Sequence, residues 1–359
     1  MHSKSIDPKH ILDIIILGSG PAGLSAALYS ARGQANTLVI SGSETGGQLM
    51  LTPSIENYPG IITSGAGLVD NMMNQCKEFG VQFLNDFVTE IRVVKNTVIS
   101  GLRDDVNVFE LCTTQGVYYA KVVIIATGSK AKWLEVPGAE QFKGNGISTC
   151  ATCDGWAYRH KTVAVIGGGN TAVEEAIYLS KACKEVVLIH RRNTLRAEKI
   201  MQKIMFAIPN IRYVWDSVVV EVHEGDGENE TGNMEKLYGQ AQAALSHVTI
   251  QNVLDHKLST LHLDGIFVAI GHEPNTAFLA NLTDINNLPV QSEHGSIKPL
   301  VLDQTGYIHT EHTVNTGIPG LYAAGDVIAD SAYLGKQAVV AAATGCTAAM
   351  NALKFLTQM

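Results

Sequence analysis

Hydrophobic and polar positions divide this chain into short apolar runs, each followed by a turn of small residues and a segment with helical spacing. Asp13-Ile14-Ile15-Ile16-Leu17 is the first such run, with the length and composition of a strand buried on both faces. Gly18-Ser19-Gly20-Pro21-Ala22-Gly23 follows at once, and residues 24–29 take up helical spacing. A second strand is expected over residues 37–40 and a helix over residues 72–79. Val122-Val123-Ile124-Ile125 reads as another buried strand, ending in the small-residue turn Ala126-Thr127-Gly128. The design restarts with an apolar run over residues 161–166, the turn Gly167-Gly168-Gly169-Asn170-Thr171-Ala172 and a helix over residues 173–181. Residues 185–189 form its next strand, and residues 264–271, ending in Ile270 and Gly271, a later one. Residues 272–275 read as a linker. A last strand over residues 320–326 ends in Gly325-Asp326, and a small-residue helix spans residues 337–353. The polar, glycine-bearing stretch 222–246 predicts an exposed hairpin or mobile insertion without chemistry.

Strand, glycine turn and helix in this order make a dinucleotide-binding fingerprint. Gly18 permits the tight turn, Gly20 lets a pyrophosphate approach the backbone, and Gly23 lets helix and strand pack closely. The helix N-terminus then offers its free N–H groups and positive dipole end to the phosphates. Recurrence of the pattern at Gly167 and Gly169 implies two dinucleotide sites, filled either by two cofactors or by one cofactor beside a vestige. The residues after the second strand of each repeat choose the nucleotide. Glu44 lies where a partner for a ribose 2′-hydroxyl is expected, whereas His190-Arg191-Arg192, with Arg196 beyond, suits a 2′-phosphate. The second site therefore predicts NADPH, and the first an ADP moiety without that phosphate, such as FAD.

Between the repeats stands Cys150-Ala151-Thr152-Cys153-Asp154-Gly155. This spacing lets two sulfurs share one helical turn, where a disulfide opens and closes with little backbone motion, so the reading is a reversible dithiol; chance spacing is the alternative. A structural zinc site needs four ligands, and Cys76, Cys112, Cys183 and Cys346 are scattered singly, so no metal is expected. At 359 residues two domains are the natural expectation. A net charge of −8 argues against nucleic acid or an anionic membrane as partner. Six cysteines are too few for a disulfide scaffold. No apolar run of the roughly 18 to 20 residues needed to span a bilayer is evident, and the polar start lacks a secretory core, so a cytoplasmic protein is expected.

With these residues assembled, the chain resembles the low-molecular-weight thioredoxin reductases over nearly its whole length. The markers are Gly18 to Gly23, Gly46-Gly47-Gln48-Leu49, Glu56-Asn57-Tyr58-Pro59-Gly60, Ala126 to Ser129, Cys150 to Gly155, Gly167 to Ala172, His190 to Arg192 and Ala324-Gly325-Asp326. The resemblance implies an α/β protein of two Rossmann-like, three-layer dinucleotide-binding domains. An NADPH domain (131–272) carrying the dithiol would be inserted in a discontinuous FAD domain (1–130 and 273–359), and the protein would be a homodimer. It implies FAD contacts at Ser19, Gly20, Pro21 and Ala22, along Ser41 to Gln48 with Glu44 and Gly47, and at Asn57, Val88, Ala126, Thr127, Gly128, Gly325, Asp326, Lys336, Gln337 and Ala338. NADPH would meet Gly167, Gly169, Asn170, Thr171, His190, Arg191, Arg192, Arg196, Ile270 and Gly271. The implied activity is thioredoxin-disulfide reduction: electrons pass from NADPH to FAD, to the Cys150–Cys153 disulfide and on to oxidised thioredoxin, maintaining thiol redox balance.

By the same likeness Cys153 lies beside the flavin, Cys150 attacks the substrate disulfide and Asp154 carries a proton; read from the residues alone, Asp154 also suits a helix N-cap. Two features depart from the family pattern. Tyr333-Leu334-Gly335-Lys336-Gln337 stands where the family has Tyr-Arg-Gln, so Lys336 supplies a point charge without a planar fork. The stretch around 225–246 is also longer than expected. Cys153 closely precedes the strand that opens the second repeat, so dithiol and nucleotide site belong to one body. That body is expected to alternate between two poses about hinges near 130–137 and 272–275. The runner-up activity is the reductase component of an alkyl hydroperoxide system, which normally carries a further thioredoxin-like region; here the sequence opens on the first nucleotide strand, and the arginines favour NADPH over NADH. A non-catalytic nucleotide sensor is the reading from another class, and retention of both cysteines beside Asp154 weighs against it.

Overall fold

The computed structural model describes residues 11–42, 45–52, 55–95, 107–225, 244–282, 290–292, 295–297, 299–331 and 336–359. The chain forms two compact units, Met1–Lys130 with Glu273–Met359, and Ala131–His272. The first unit opens with β1 (Ile11–Leu17), α1 (Pro21–Arg32), β2 (Thr37–Ile40), α2 (Gly65–Glu78), β3 (Gln82–Leu84), β4 (Val88–Lys95), β5 (Asn107–Thr113) and β6 (Val117–Ile125). After the short strand β7 (Ser129–Ala131) the second unit follows. It consists of β8 (Ile147–Ser148), α3 (Ala151–Asp154), β9 (Thr162–Gly167), α4 (Asn170–Ser180), β10 (Glu185–Ile189), α5 (Lys199–Phe206), β11 (Ile211–Val214), β12 (Ser217–Glu224), β13 (Leu245–Asn252), β14 (Leu258–His262) and β15 (Gly265–Ala269). The return brings β16 (His272–Pro274), β17 (Val290–Ser292), β18 (Gly295–Ile297), β19 (Leu321–Ala323) and the last helix, α6 (Ala338–Leu356).

Each unit is built on a parallel sheet, as the continuous apolar runs require. In the first unit β3, β2, β1 and β6 lie side by side, with β19 parallel to β6 through Leu321↔Val123. β6 also belongs to an antiparallel meander, pairing β5 from Phe109↔Ala120 to Cys112↔Val117, with β4 beyond. In the second unit the order is β11-β10-β9-β15-β8, and β12-β13-β14 form a separate antiparallel sheet. Ile14, Ile15 and Ile16 of β1, and Val163, Ala164 and Val165 of β9, are fully buried. β1 lies between β2 and β6, and β9 between β10 and β15. Strand order therefore reverses beside each of these strands, and the crevice beyond their carboxyl ends is where open α/β sheets bind ligands.

Two expectations change. The helix expected over residues 72–79 begins earlier, at Gly65, because Ser64 Oγ accepts from Gly67 N at 3.0 Å and caps it. The polar stretch 222–246, by contrast, keeps the hairpin expectation: it includes the facing ends of β12 and β13, which pair antiparallel, and its middle, 226–243, lies outside the described residues. The absence of a membrane-length apolar segment is corrected too: α6, with 19 residues, is long and apolar enough by length and composition to cross a bilayer. In the sequence Thr344, Thr347, Asn351 and Lys354 interrupt its apolar run. In the structure its small-residue stripe, Gly345, Ala348, Ala349 and Ala352, is buried in the first unit's core with α1.

The α1–α6 contact depends on the absence of a side chain. A Cβ on Gly345 would lie 2.0 Å from the carbonyl oxygen of Ala22. Gly345→Ala must therefore push the helices apart, and about 1–3 kcal/mol of stability is the expected loss. Gly116→Ala, where nothing lies within 4 Å of the new Cβ, is expected to stay within about 0.5 kcal/mol. Denaturant melts of the two variants beside the unsubstituted protein check both outcomes.

Candidate active site

The two glycine turns are held by the same device in both units. Gly18 has φ 105° and a Cβ there would sit 2.3 Å from Ala126 O; Gly167 has φ 155° and its Cβ would sit 2.4 Å from Ala269 O. Each first glycine is thus pressed beneath the backbone leaving the neighbouring strand. A Cβ on Gly23 would collide with Gly18 O at 1.9 Å, so α1 packs directly on its own turn. The second glycines are open instead: the nearest atom to a Cβ on Gly20 would be Gly46 O at 3.9 Å, and nothing lies within 4 Å at Gly169. Gly20 and Gly169 are also the N-caps of α1 and α4, with no side-chain cap bond and no acid in either first turn. Open glycine backbone beside uncapped helix amides is the shape and polarity a diphosphate needs, so both turns fit a dinucleotide.

In the first unit, Gly46 N donates to Ser19 Oγ at 3.0 Å, and a Cβ on Gly47 would come within 3.7 Å of Gly20 Cα. The stretch Gly46-Gly47-Gln48 therefore faces the first turn, with Gln48 exposed. Asn57 Nδ2 donates to Gln337 Oε1 at 3.0 Å, which joins two expected contacts far apart in sequence at the N-cap of α6, just before Ala338. Asn275 Nδ2 donates to Thr127 O at 2.8 Å and Thr127 Oγ1 to Asn275 O at 2.8 Å, holding the Ala126-Thr127-Gly128 turn at the end of β6. Ser41 is buried and its Oγ is engaged locally with Leu84 O at 3.3 Å, while Val88 opens β4. Asp326 follows Gly325 at the end of β19; burial pushes its carboxyl up and Lys336 draws it partly back. Lys336 Nζ donates to Tyr307 OH at 2.7 Å and to Ser129 Oγ at 3.3 Å. Glu44 and Tyr333 to Gly335 lie outside the described residues.

In the second unit, the basic stretch folds back on the nucleotide turn. Arg196 N and Ala197 N donate to Gly168 O at 2.8 and 3.2 Å, and Glu198 N donates to Asn170 Oδ1 at 2.8 Å. A Cβ on Gly168 would lie 2.2 Å from the His190 ring, so the middle glycine makes room for that imidazole. His190 is buried, with Nε2 3.1 Å from Thr194 O; burial lowers its pKa, the Thr194 contact opposes this, and Arg191, Arg192 and Arg196 lower it further. The three arginines and Thr171 are exposed, and Ile270 and Gly271 follow directly on the neighbouring strand β15, with nothing within 4 Å of a Cβ on Gly271.

Cys150 and Cys153 form a disulfide at the start of the four-residue helix α3, and both are partly exposed. Cys150 N donates to Ser148 Oγ at 3.0 Å, and Ser148 Oγ donates to Asp154 Oδ2. Burial raises the Asp154 pKa, and the Ser148 bond opposes it. The N-cap role considered for Asp154 is not found: it precedes a short 3₁₀ turn without a side-chain cap bond, because its carboxylate is turned to Ser148. Two site residues were missed from sequence, Ser148 and Glu175. Glu175 Oε1 accepts from Ala151 N at 3.2 Å, directly below the disulfide helix. A serine two positions before the first cysteine was a usable signal; nothing in the spacing marked Glu175.

Residues 12–345 match the family model described as pyridine nucleotide-disulphide oxidoreductase. The chain is 38% identical to the thioredoxin reductase of Rickettsia conorii, covering 96% of this chain and 98% of the relative. It is 37% identical to that of Escherichia coli O157:H7, with coverage of 96% and 95%. The crystal structure of thioredoxin reductase from Streptococcus pyogenes superposes with a TM-score of 0.79 at 34% identity, covering 97% of this chain and 99% of that one. The chain therefore belongs to the pyridine nucleotide-disulphide oxidoreductases, and within them to the thioredoxin reductase family.

Proposed function

We propose that this protein is an NADPH-dependent thioredoxin-disulfide reductase that uses FAD and the Cys150–Cys153 pair. The observation that carries the reading is a partly exposed disulfide on the same unit as a nucleotide turn backed by arginines. The first unit would be the FAD domain and the second the NADPH domain. Bound there, NADPH supplies a hydride, and FAD relays two electrons to the disulfide. The amides of α1 and α4 would hold the two diphosphates, and Arg191, Arg192 and Arg196 the 2′-phosphate. Lys336 and Asp326, with Ala338 at the start of α6, would face the flavin.

Opening of the Cys150–Cys153 bond leaves two sulfurs that need protons. Asp154, kept protonated further up the pH scale than an ordinary aspartate by burial, gives one and is held in place by Ser148. Cys150 then attacks the substrate disulfide to form a mixed disulfide, and Cys153 resolves it, returning the oxidised pair and releasing a reduced dithiol on the substrate. Dithiol and arginines share one unit, so we propose that this unit alternates between two poses about its two crossings, near 130–137 and 272–275. We also propose a homodimer, on the family likeness, and a cytoplasmic location, on a cysteine count too low for a disulfide scaffold.

NADPH oxidation on adding oxidised thioredoxin is the direct test. It is expected with the unsubstituted protein and absent with Cys150→Ser, and flavin-dependent oxygen consumption alone would move the reading to another disulfide or peroxide substrate. Replacing Arg191 and Arg192 by Ala is expected to raise KM for NADPH roughly 10- to 100-fold, the weight of a charge-assisted phosphate contact, and to leave KM for NADH unchanged. Steady-state kinetics with both nucleotides checks it. For Asp154→Asn, a fall in turnover of about 10²-fold is expected. The decline of wild-type rate as pH rises through the raised Asp154 pKa should also disappear from the pH–rate profile.

A further inference from the structure

We propose that Glu175 is a positioning residue for the dithiol: through Ala151 it anchors the N-terminal end of the Cys-x-x-Cys helix, and through its buried charge it sets the proton affinity of Asp154 and of the sulfurs. The inference deepens the reductase reading, on which the proton role of Asp154 rests. Glu175 projects from the middle of α4 toward α3, and its two oxygens are used unequally. Oε1 accepts the first helical amide of α3, from Ala151, at 3.2 Å. Oε2 is buried with no hydrogen-bond partner among the described residues. A buried carboxylate oxygen without a donor is costly when charged, so ionisation is pushed to higher pH. Burial raises the carboxyl to about 7; the Ala151 bond opposes this, and the charges of Glu174 and Asp154 raise it further.

The surroundings leave little else to act on it. α4 packs over Val163, Val165, Val186, Leu188 and Phe267 of the sheet, all apolar. On the side of α5, Glu198, Lys199 and Lys203 are solvent-exposed. Burial therefore holds both carboxyls protonated further up the pH scale, and the charge of Asp154 adds the smallest part of the rise at Glu175. When the disulfide takes up an electron pair from the reductase reaction, the S–S bond breaks and two protons are required. An ionised Glu175 adds negative charge beneath the site, so it favours the protonated forms of Asp154 and of the thiols. A neutral Glu175 favours release of those protons.

Glu175→Gln separates the two functions, since the amide oxygen still accepts from Ala151 while the charge is gone; Glu175→Asp keeps the charge and shortens the reach. The experiment is alkylation of the NADPH-reduced holoenzyme by iodoacetamide across the neutral pH range, read at Cys150 and Cys153, and it needs no thioredoxin. In Glu175→Gln the midpoint is expected to move about one pH unit lower, a roughly tenfold change in proton affinity, and Glu175→Asp should stay near wild type. A Glu175→Gln profile that superimposes on wild type, or one reduced uniformly at every pH, overturns the proposal. Loss of thioredoxin turnover in the unsubstituted protein would overturn the reductase reading instead and leave the alkylation result standing. Thermal melts supply an independent check. Since the folded carboxyl binds its proton more tightly than the unfolded one, wild-type stability falls as pH rises from the ordinary glutamate range through about 7, and Glu175→Gln should lack that fall.

Discussion

The constraint on which both units depend is a close approach of backbone to backbone at the first glycine of each nucleotide turn. Gly18 lies under Ala126 O, and Gly167 under Ala269 O, at separations that leave no space for a Cβ. Left-handed backbone at Gly18 reverses the chain within one residue of the end of β1, so α1 begins with Gly20 as its cap. The helix amides are then aimed past the open end of the sheet, where strand order changes. Everything that reads as nucleotide binding is placed relative to this turn. In the first unit the Gly46-Gly47 loop is tied to it by Ser19, and in the second Gly168 carries the basic stretch through Arg196 and Ala197.

A second theme is the use of small residues to bring backbones together. Gly23 lets α1 rest on its own turn, Gly345 lets α6 approach Ala22, and Gly168 yields space to the His190 ring. These contacts join the nucleotide turn to segments far along the chain. The final helix, for all its apolar length, packs its small-residue face into the core beside the first turn. Polar ties complete the arrangement: Asn57 meets Gln337 at the start of α6, and Asn275 closes the loop after β6.

Around the disulfide the organising force is burial of charge. A four-residue helix has little intrinsic stability, and its first amide needs a partner. Glu175 supplies that partner from below and Ser148 ties Cys150 N to Asp154 from the side. Both carboxyls are drawn toward their neutral forms by the same apolar surroundings. A redox pair that must gain and lose protons is thus set among groups that can hold them.

The α/β class, the paired nucleotide turns and the close cysteine pair are legible in the order of residues alone. Those features rest on local rules: apolar runs of strand length, glycines where a Cβ cannot fit, and two cysteines within one helical turn. The sequence also places Arg191, Arg192 and Arg196 by their distance from the turn, since a strand and its loop span a fixed length. Which distant residues meet depends on how the elements pack. Ser148 and Glu175 at the disulfide, Tyr307 beneath Lys336 and Gln337 against Asn57 are matters of packing between elements, and no periodicity reports them. The same holds for Asp154, whose side chain suits an N-cap by type but is turned to Ser148 by the strand that ends two residues before Cys150. The early start of α2 at Gly65 and the burial of one face of α6 have one physical reason as well: capping and helix packing outweigh what composition alone suggests.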